Sequence, residues 1–384
     1  MTVIPADLTV EDPSSLGIDV ARLDELRARI HKEVDEGLLP SCQWALAREG
    51  SLAAFEAVGS ATTSTRYSIF SATKAFVAST VWQLIAEGSI DVGKRVVDYI
   101  PEFASNGKDV ITVEQVMLHT SGFPHAPLGP PAWDTSDGRR EVFARWRLNW
   151  EPGTAYEYHA TSAHWVLAEL IQTVTGQDFR DVVHESVTEP LGLPRILGLG
   201  ADDQADIADL VLCGEHAPAD ELKSVFGISE LPVTEVTDDA LMALNQPAAR
   251  EGGIPGGGGV TTAATIALFY QALLLNHAGL WDPEVLADGT GRVRNSFPDP
   301  LTATPANRAL GVIVAGDDGK AHYRGFGHTQ SSRTFGHNGA GGQLAWADPE
   351  TGLSFCYLTN GYDVNELRQP RRGIGITSRA AVCA

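Results

Sequence analysis

Ser71 and Lys74 stand three residues apart in the run Tyr67-Ser68-Ile69-Phe70-Ser71-Ala72-Thr73-Lys74-Ala75-Phe76-Val77-Ala78. On a helix that spacing places a hydroxyl and an amine on one face, so Lys74 can reach back to Ser71 Oγ. A serine hydroxyl is a poor nucleophile until a neighbouring base takes its proton, and an uncharged lysine is one such base. The chemistry open to the pair is acyl transfer. Spacing alone is weak evidence: with 22 serines and six lysines, chance supplies about a third of one S-x-x-K match. The bland alternative is a serine that caps a helix and a lysine that extends its amine into water. A second match, Ser105-Asn106-Gly107-Lys108, follows Pro101 and holds an Asn-Gly turn dipeptide. It reads as a solvated loop.

The elements around Ser71 set it apart from the second match but leave the capping alternative open on local grounds. Ala72, Ala75, Phe76, Val77 and Val81 give a helical apolar pattern that runs to about Glu87 and stops at Gly88. Upstream, Asp19 to Glu36 reads as an amphipathic helix. Cys42–Ala47 and Leu52–Val58 follow as a hairpin. Downstream, Ile111–Leu118 and Ala163–Thr175 read as helices, with a proline-rich loop at Pro124–Pro131 between them. Asp202–Thr237 is acidic and irregular, with no periodicity to assign.

The run from Gly252 to Gly259 opens Thr261-Thr262 and a helix Ala263–Leu275. It lacks the G-x-G-x-x-G and Gly-Lys-Ser/Thr patterns, so it predicts a tight turn with a threonine cap rather than a phosphate cradle. Ala309–Ala315, Gly342–Ala347 and Leu353–Leu358 alternate as strands. The order predicts an α+β fold. One antiparallel sheet flanked by helices forms from both chain ends, with an all-helical inserted subdomain between. The expected division is about 1–65 plus 305–384 for the sheet part and about 66–304 for the insertion.

Composition narrows the partners. A net charge of −21 over 384 residues argues against nucleic acid and anionic membrane surfaces, which need clustered Lys and Arg. The start, Met1-Thr2-Val3-Ile4-Pro5-Ala6-Asp7-Leu8, is neither basic nor continuously apolar, and no segment offers ~18 unbroken apolar residues. A chain that is complete as given is expected in the cytoplasm. Cys42, Cys213, Cys356 and Cys383 are far apart with no C-x-x-C pair, so buried free thiols are expected, and no metal or other cofactor. Oligomeric state leaves no mark in the sequence.

Two further clusters matter. Pro152-Gly153-Thr154-Ala155-Tyr156-Glu157-Tyr158-His159-Ala160 offers two tyrosines on a turn, and Gly336-His337-Asn338-Gly339-Ala340-Gly341-Gly342 a glycine-rich bend. Taken in order with Ser71 and Lys74, they make the chain resemble the serine β-lactamase and penicillin-binding-protein superfamily. Within it, the chain looks most like the esterases that resemble class C β-lactamases. Phe70-Ser71-Ala72-Thr73-Lys74 looks like the first motif, and Met117-Leu118-His119-Thr120-Ser121-Gly122 like the L-L-x-H-T-S-G segment. Pro152-Gly153 with Tyr158 fits the P-G…Y-x-N region. Gly258-Gly259-Val260-Thr261-Thr262-Ala263 fits the G-G-x-x-S/T-A turn, and His337-Asn338-Gly339 stands where K-T-G would.

The resemblance implies the fold already read from element order, with the active site in the cleft between sheet and insertion. It also implies roles. Ser71 would be the nucleophile, Lys74 and Tyr158 would share the proton work, and the N–H groups of Ser71 and Ala340 would form the oxyanion hole. Neither Lys nor Tyr is a base at neutral pH unaided; burial lowers the first and an adjacent ammonium lowers the second.

Two departures bear on substrate. Ala160 replaces the asparagine of Y-x-N, and His337 replaces the lysine of K-T-G. Both favour a substrate without an essential carboxylate or acylamide, such as a small ester. His337, Asn338 and Gly339 are expected on the substrate side, with Phe123, Trp133 and Trp150 walling the acyl pocket. Tyr156 is a weaker base candidate, and His119, His159 and His164 read as structural.

The leading expectation is a carboxylesterase on a small-molecule ester. Acyl transfer to an amine or alcohol, amidase or D-peptidase activity, and a catalytically silent ligand-binding homologue are the alternatives. The absence of G-x-S-x-G disfavours an α/β-hydrolase route.

Overall fold

A computed structural model of the chain describes residues 8–230 and 237–384. The opening heptapeptide and the last part of the acidic stretch, 231–236, lie outside the described residues.

Among the described residues, ten strands form one large sheet and two small ladders. In chain order they are β1 Ser41–Arg48, β2 Ser51–Gly59, β3 Tyr67–Ser68, β4 Val211–Cys213, β5 Val260–Thr261, β6 Ile313–Val314, β7 Phe335–Gly336, β8 Leu344–Asp348, β9 Leu353–Thr359 and β10 Gly361–Asp363. The six-stranded sheet runs β2-β1-β9-β8-β7-β6 and is antiparallel throughout. The pairing of β1 with β9, from Cys42 opposite Thr359 to Ala47 opposite Ser354, joins the two chain ends. This is the sheet expected from element order. Among its described residues the stretch between is helical apart from β3–β5, which is antiparallel, and β4, which pairs in parallel with β10.

Period-two alternation sorts the strand residues by size. Trp44, Leu46, Trp346, Phe355 and Tyr357 point to one face, where helices Val20–Asp35 and Arg368–Ala380 cover them with Leu23, Leu26, Ile30 and Ile376. Ala45, Ala47, Ala345, Ala347 and Cys356 point to the other. These small side chains let helix Ala263–Leu275 lie close against the sheet. That helix also packs into the insertion, which is why it is apolar on nearly every side rather than amphipathic.

Several sequence expectations change. Helix Arg368–Ala380 is additional to those read from the sequence, and the strand expected over Ala309–Ala315 is only Ile313–Val314. The second S-x-x-K is not solvated: Lys108 is fully buried, donating to Ser105 O, Ser105 Oγ and Trp146 O at 2.6, 3.0 and 2.9 Å. Backbone carbonyls satisfy this amine, so it clasps a loop. Cys42, Cys356 and Cys383 are buried free thiols, but Cys213 is only partly covered because β4 is exposed.

The insertion is tied by Glu169, a fully buried carboxylate that accepts from Arg139 Nε at 2.8 Å and from Arg140 Nε and Ser136 Oγ. Among the described residues, no helix is long and apolar enough to cross a membrane.

Candidate active site

The backbone around Ser71 is held in an uncommon shape. Phe70 has φ +46°, a left-handed conformation that bulky residues rarely adopt and that costs about 1–3 kcal/mol. It opens a 3-10 turn, Phe70–Ala72, that runs straight into helix Thr73–Ala86. The glycine run fixes this turn from outside. Ile69 N donates to Gly259 O at 2.9 Å and Gly259 N to Thr73 Oγ1 at 3.0 Å, while Thr73 Oγ1 donates to Phe70 O at 2.6 Å. A Cβ on Gly259 would lie 2.6 Å from Thr73 Oγ1, so only glycine lets the strands of this clasp meet. The run is the threonine-capped turn expected: Thr262 Oγ1 accepts from Thr265 N at 3.2 Å.

Ser71 Oγ has two side-chain hydrogen-bond neighbours, Lys74 Nζ at 3.2 Å and Tyr158 Oη at 2.9 Å. Lys74 is fully buried, so its amine does not reach water. Its other contacts are two carbonyls, Ala160 O at 2.7 Å and Gly256 O at 2.5 Å. Burial first, and Arg308 second, push its pKa well below the ordinary lysine value. A neutral amine suits this arrangement, with two N–H bonds for the carbonyls and a lone pair for the Ser71 hydroxyl. The tyrosine differs from expectation. Burial raises Tyr158 to about 12, outweighing the opposing pull of Arg308 and the hydrogen bond to Ser71. Tyr158 is a phenol at neutral pH and donates to Ser71 Oγ.

A residue that the sequence reading missed stands behind the tyrosines. Arg308, buried at 5% exposure, donates from Nε and Nη2 to Tyr156 Oη at 3.2 and 2.9 Å. Its guanidinium carbon lies 5.1 Å from the Tyr158 ring centre. Nη1 lies 3.2 Å from His337 Nε2. A guanidinium only donates, so His337 Nε2 accepts, and Nδ1–H donates to Asn338 O at 2.9 Å. Both His337 nitrogens are thereby engaged, and burial with Arg308 holds the ring neutral. Both ring bonds of His337 are internal, where a substrate contact was expected. Asn338 is committed likewise, donating to Gly325 O and accepting from Ala345 N at 2.9 Å.

Gly339 and Ala340 lie against the Ser71 turn. A Cβ on Gly339 would fall 2.3 Å from Ile69 O, a backbone approach open to glycine alone. Ala340 opens the 3-10 turn Ala340–Gly342, so its N–H lacks an acceptor within that turn, as the Ser71 N–H does within its own.

The remaining candidates divide. Phe123 is fully buried among Phe103, Trp146 and His159, which places it in the interior rather than at the pocket wall expected. Trp133 stacks on buried Trp165 at 5.8 Å, and Trp150 meets the edge of His159 at 6.1 Å. His159 accepts from Phe123 N and donates to Glu157 O, a structural clamp pushed down to about 3 by burial. His119 accepts from His159 N at 3.2 Å and packs 4.9 Å from the Tyr158 ring. Tyr156 serves Arg308 rather than Ser71.

Residues 26–374 match the Beta-lactamase family model. The chain belongs to the beta-lactamase family. It is 29% identical over 316 residues to the esterase/beta-lactamase LipL of Mycobacterium tuberculosis, spanning 76% of this chain and 68% of that protein. A solved family VIII carboxylesterase matches with TM-score 0.75 and 26% identity, covering 94% of this chain and 98% of that one. A penicillin-binding-protein homologue from Caulobacter crescentus has TM-score 0.75 at 23% identity, again over 94% and 98%, a likeness of fold. The chain is thus a member of a serine-hydrolase family with an α+β fold.

Proposed function

We propose that the protein is a carboxylesterase that acts on small esters through an acyl-enzyme at Ser71. The observation that carries this reading is the single hydroxyl between a buried amine and a phenol, with the amine's other contacts both carbonyls. As Ser71 Oγ attacks the ester carbonyl, its proton passes to the Lys74 lone pair. The oxyanion forms beside the N–H groups of Ser71 and Ala340; one such donor is typically worth about 2.7–4 kcal/mol. Tyr158 gives its proton to the departing alkoxide. The acyl-enzyme is left with a Lys74 ammonium and a Tyr158 phenolate. Tyr158 then takes a proton from the attacking water, and Lys74 returns one to Ser71 Oγ, restoring both groups.

Ala160 in place of asparagine removes a side-chain amide from the substrate side, which supports esters over acylamino substrates. The relatives named as esterases agree with this reading. The test is turnover of short-chain p-nitrophenyl esters beside a penicillin and a cephalosporin, with and without an added amine. The expected outcome is ester hydrolysis to free acid with little β-lactam turnover. Amide product in the amine arm would instead establish a transacylase, and rapid cephalosporin turnover would overturn the reading of Ala160.

A further inference from the structure

Arg308 is a fixed positive charge in the interior for which no carboxylate serves as ion-pair partner among the described residues. Its recorded side-chain contacts are Tyr156 Oη and His337 Nε2, both neutral acceptors. Burying a guanidinium without a counter-charge is costly, so its retention calls for a use of the charge. The other titratable groups facing this space are Lys74 from helix Thr73–Ala86, His119 from the loop after helix Val113–Met117, and Tyr156, Tyr158 and His159 from the following loop. His164 from helix Ser162–Thr175 and His337 from the bend after β7 complete the set. All four histidines are held neutral by burial. Asp299 acts on Tyr156 only at a distance. The permanent charge of the site therefore resides on Arg308. The K-T-G lysine position holds a neutral histidine, and the cation comes from a separate stretch of chain just before β6.

We propose that Arg308 is a positioning residue whose guanidinium is the counter-charge for the phenolate that forms at Tyr158, with His337 and Tyr156 as the brackets that aim it. The proposal rests on the serine-hydrolase reading above. The guanidinium faces the Tyr158 ring at 5.1 Å, close enough for a strong interaction in a water-poor interior. Lys74 Nζ stands 5.0 Å from the centre of the same Tyr158 ring, so the guanidinium also disfavours an ammonium at Lys74. Arg308 thus acts on both proton carriers in the direction the reaction needs: it keeps the base free before attack and stabilises the phenolate after the leaving group departs.

The test follows two readouts in wild type, Arg308→Met, Arg308→Gln and Arg308→Lys. The first is the pH dependence of stoichiometric labelling by a fluorophosphonate, whose fluoride needs no proton from Tyr158, so this readout follows Lys74. Removing the charge lets Lys74 hold its proton to higher pH, so the acid limb moves up by at least about half a pH unit in the Met and Gln variants. It stays near the wild-type position in Arg308→Lys, which keeps the charge. The second is steady-state hydrolysis of an alkyl ester, where kcat falls at least about 30-fold in Met and Gln with KM little changed. In a folded Met or Gln variant, a kcat near the wild-type value would overturn the counter-charge at Tyr158, and an acid limb that stays in place would overturn the action on Lys74; the two together would leave Arg308 a packing residue. The Gln variant still reaches Tyr156 Oη and serves if the Met variant does not fold. Failure of wild type to label at all would sink the serine-hydrolase reading instead, so the two failures are distinguishable.

Discussion

Ser71 Oγ accepts from one neighbour and donates to another, and that polarity follows from where the protons lie. On the proposed mechanism Lys74, stripped of water, facing Ala160 O and Gly256 O and held well below the ordinary lysine value by burial, takes the hydroxyl proton, and Tyr158, raised to about 12, is the phenol that donates. Tyr158→Phe and Lys74→Ala are each expected to slow p-nitrophenyl ester hydrolysis at least ~100-fold with the fold retained, the range for general acid–base groups. Near-normal turnover in either would show that the proton assignment is wrong. Wild-type activity is expected to fall as pH drops, because an ammonium at Lys74 has no lone pair for the serine proton, and to persist well above neutrality because Tyr158 ionises late. These residues were legible in the sequence because short motifs with their own chemistry mark them. Arg308 was not. An arginine in an irregular loop carries no spacing signal, and its partners Tyr156 and His337 lie 152 and 29 residues away in the chain. His337 was legible as a departure from pattern, but its two nitrogens are spent on groups that only the fold reveals.

At the scale of elements, the helices and strands with clean periodicity appear where expected, Ala263–Leu275 to the residue. Helix Arg368–Ala380 escaped because Pro370, Gly373 and Gly375 lower its intrinsic propensity. Tertiary packing rescues it: Gly373 lies against Leu344, Gly375 against Arg29, and Ile376 and Ala380 close over the sheet. Lys108 escaped for a related reason, since Asn-Gly signals a turn but does not say whether the next side chain turns inward. The joint between helices Ser136–Arg145 and Ser162–Thr175 rests on Glu169, whose carboxylate serves two arginines in a dry setting. Glu169→Ala leaves Arg139 buried without its counter-charge and is expected to cost about 3–5 kcal/mol in urea unfolding. A loss under 1 kcal/mol would show that water or a rearranged partner replaces the carboxylate.

The whole molecule closes its sheet by pairing residues more than three hundred positions apart, so neither chain end supplies it alone. Covering both sheet faces is what leaves Cys42, Cys356 and Cys383 out of reach, while exposed β4 leaves Cys213 partly accessible. A thiol reagent is therefore expected to titrate one cysteine per native chain and four after denaturation, with none in native Cys213→Ser. Two or more fast-reacting native thiols would mean that a sheet face opens. The layout that buries those thiols also brings the Ser71 turn, the Tyr158 loop and the Ala340 bend together. The most direct test of that convergence is intact-protein mass spectrometry during turnover of a slowly released ester. A mass increase of one acyl group, mapped to Ser71, absent in Ser71→Ala and accumulating in Tyr158→Phe, is the predicted result. An adduct on another residue, or ester turnover that survives Ser71→Ala, would contradict it.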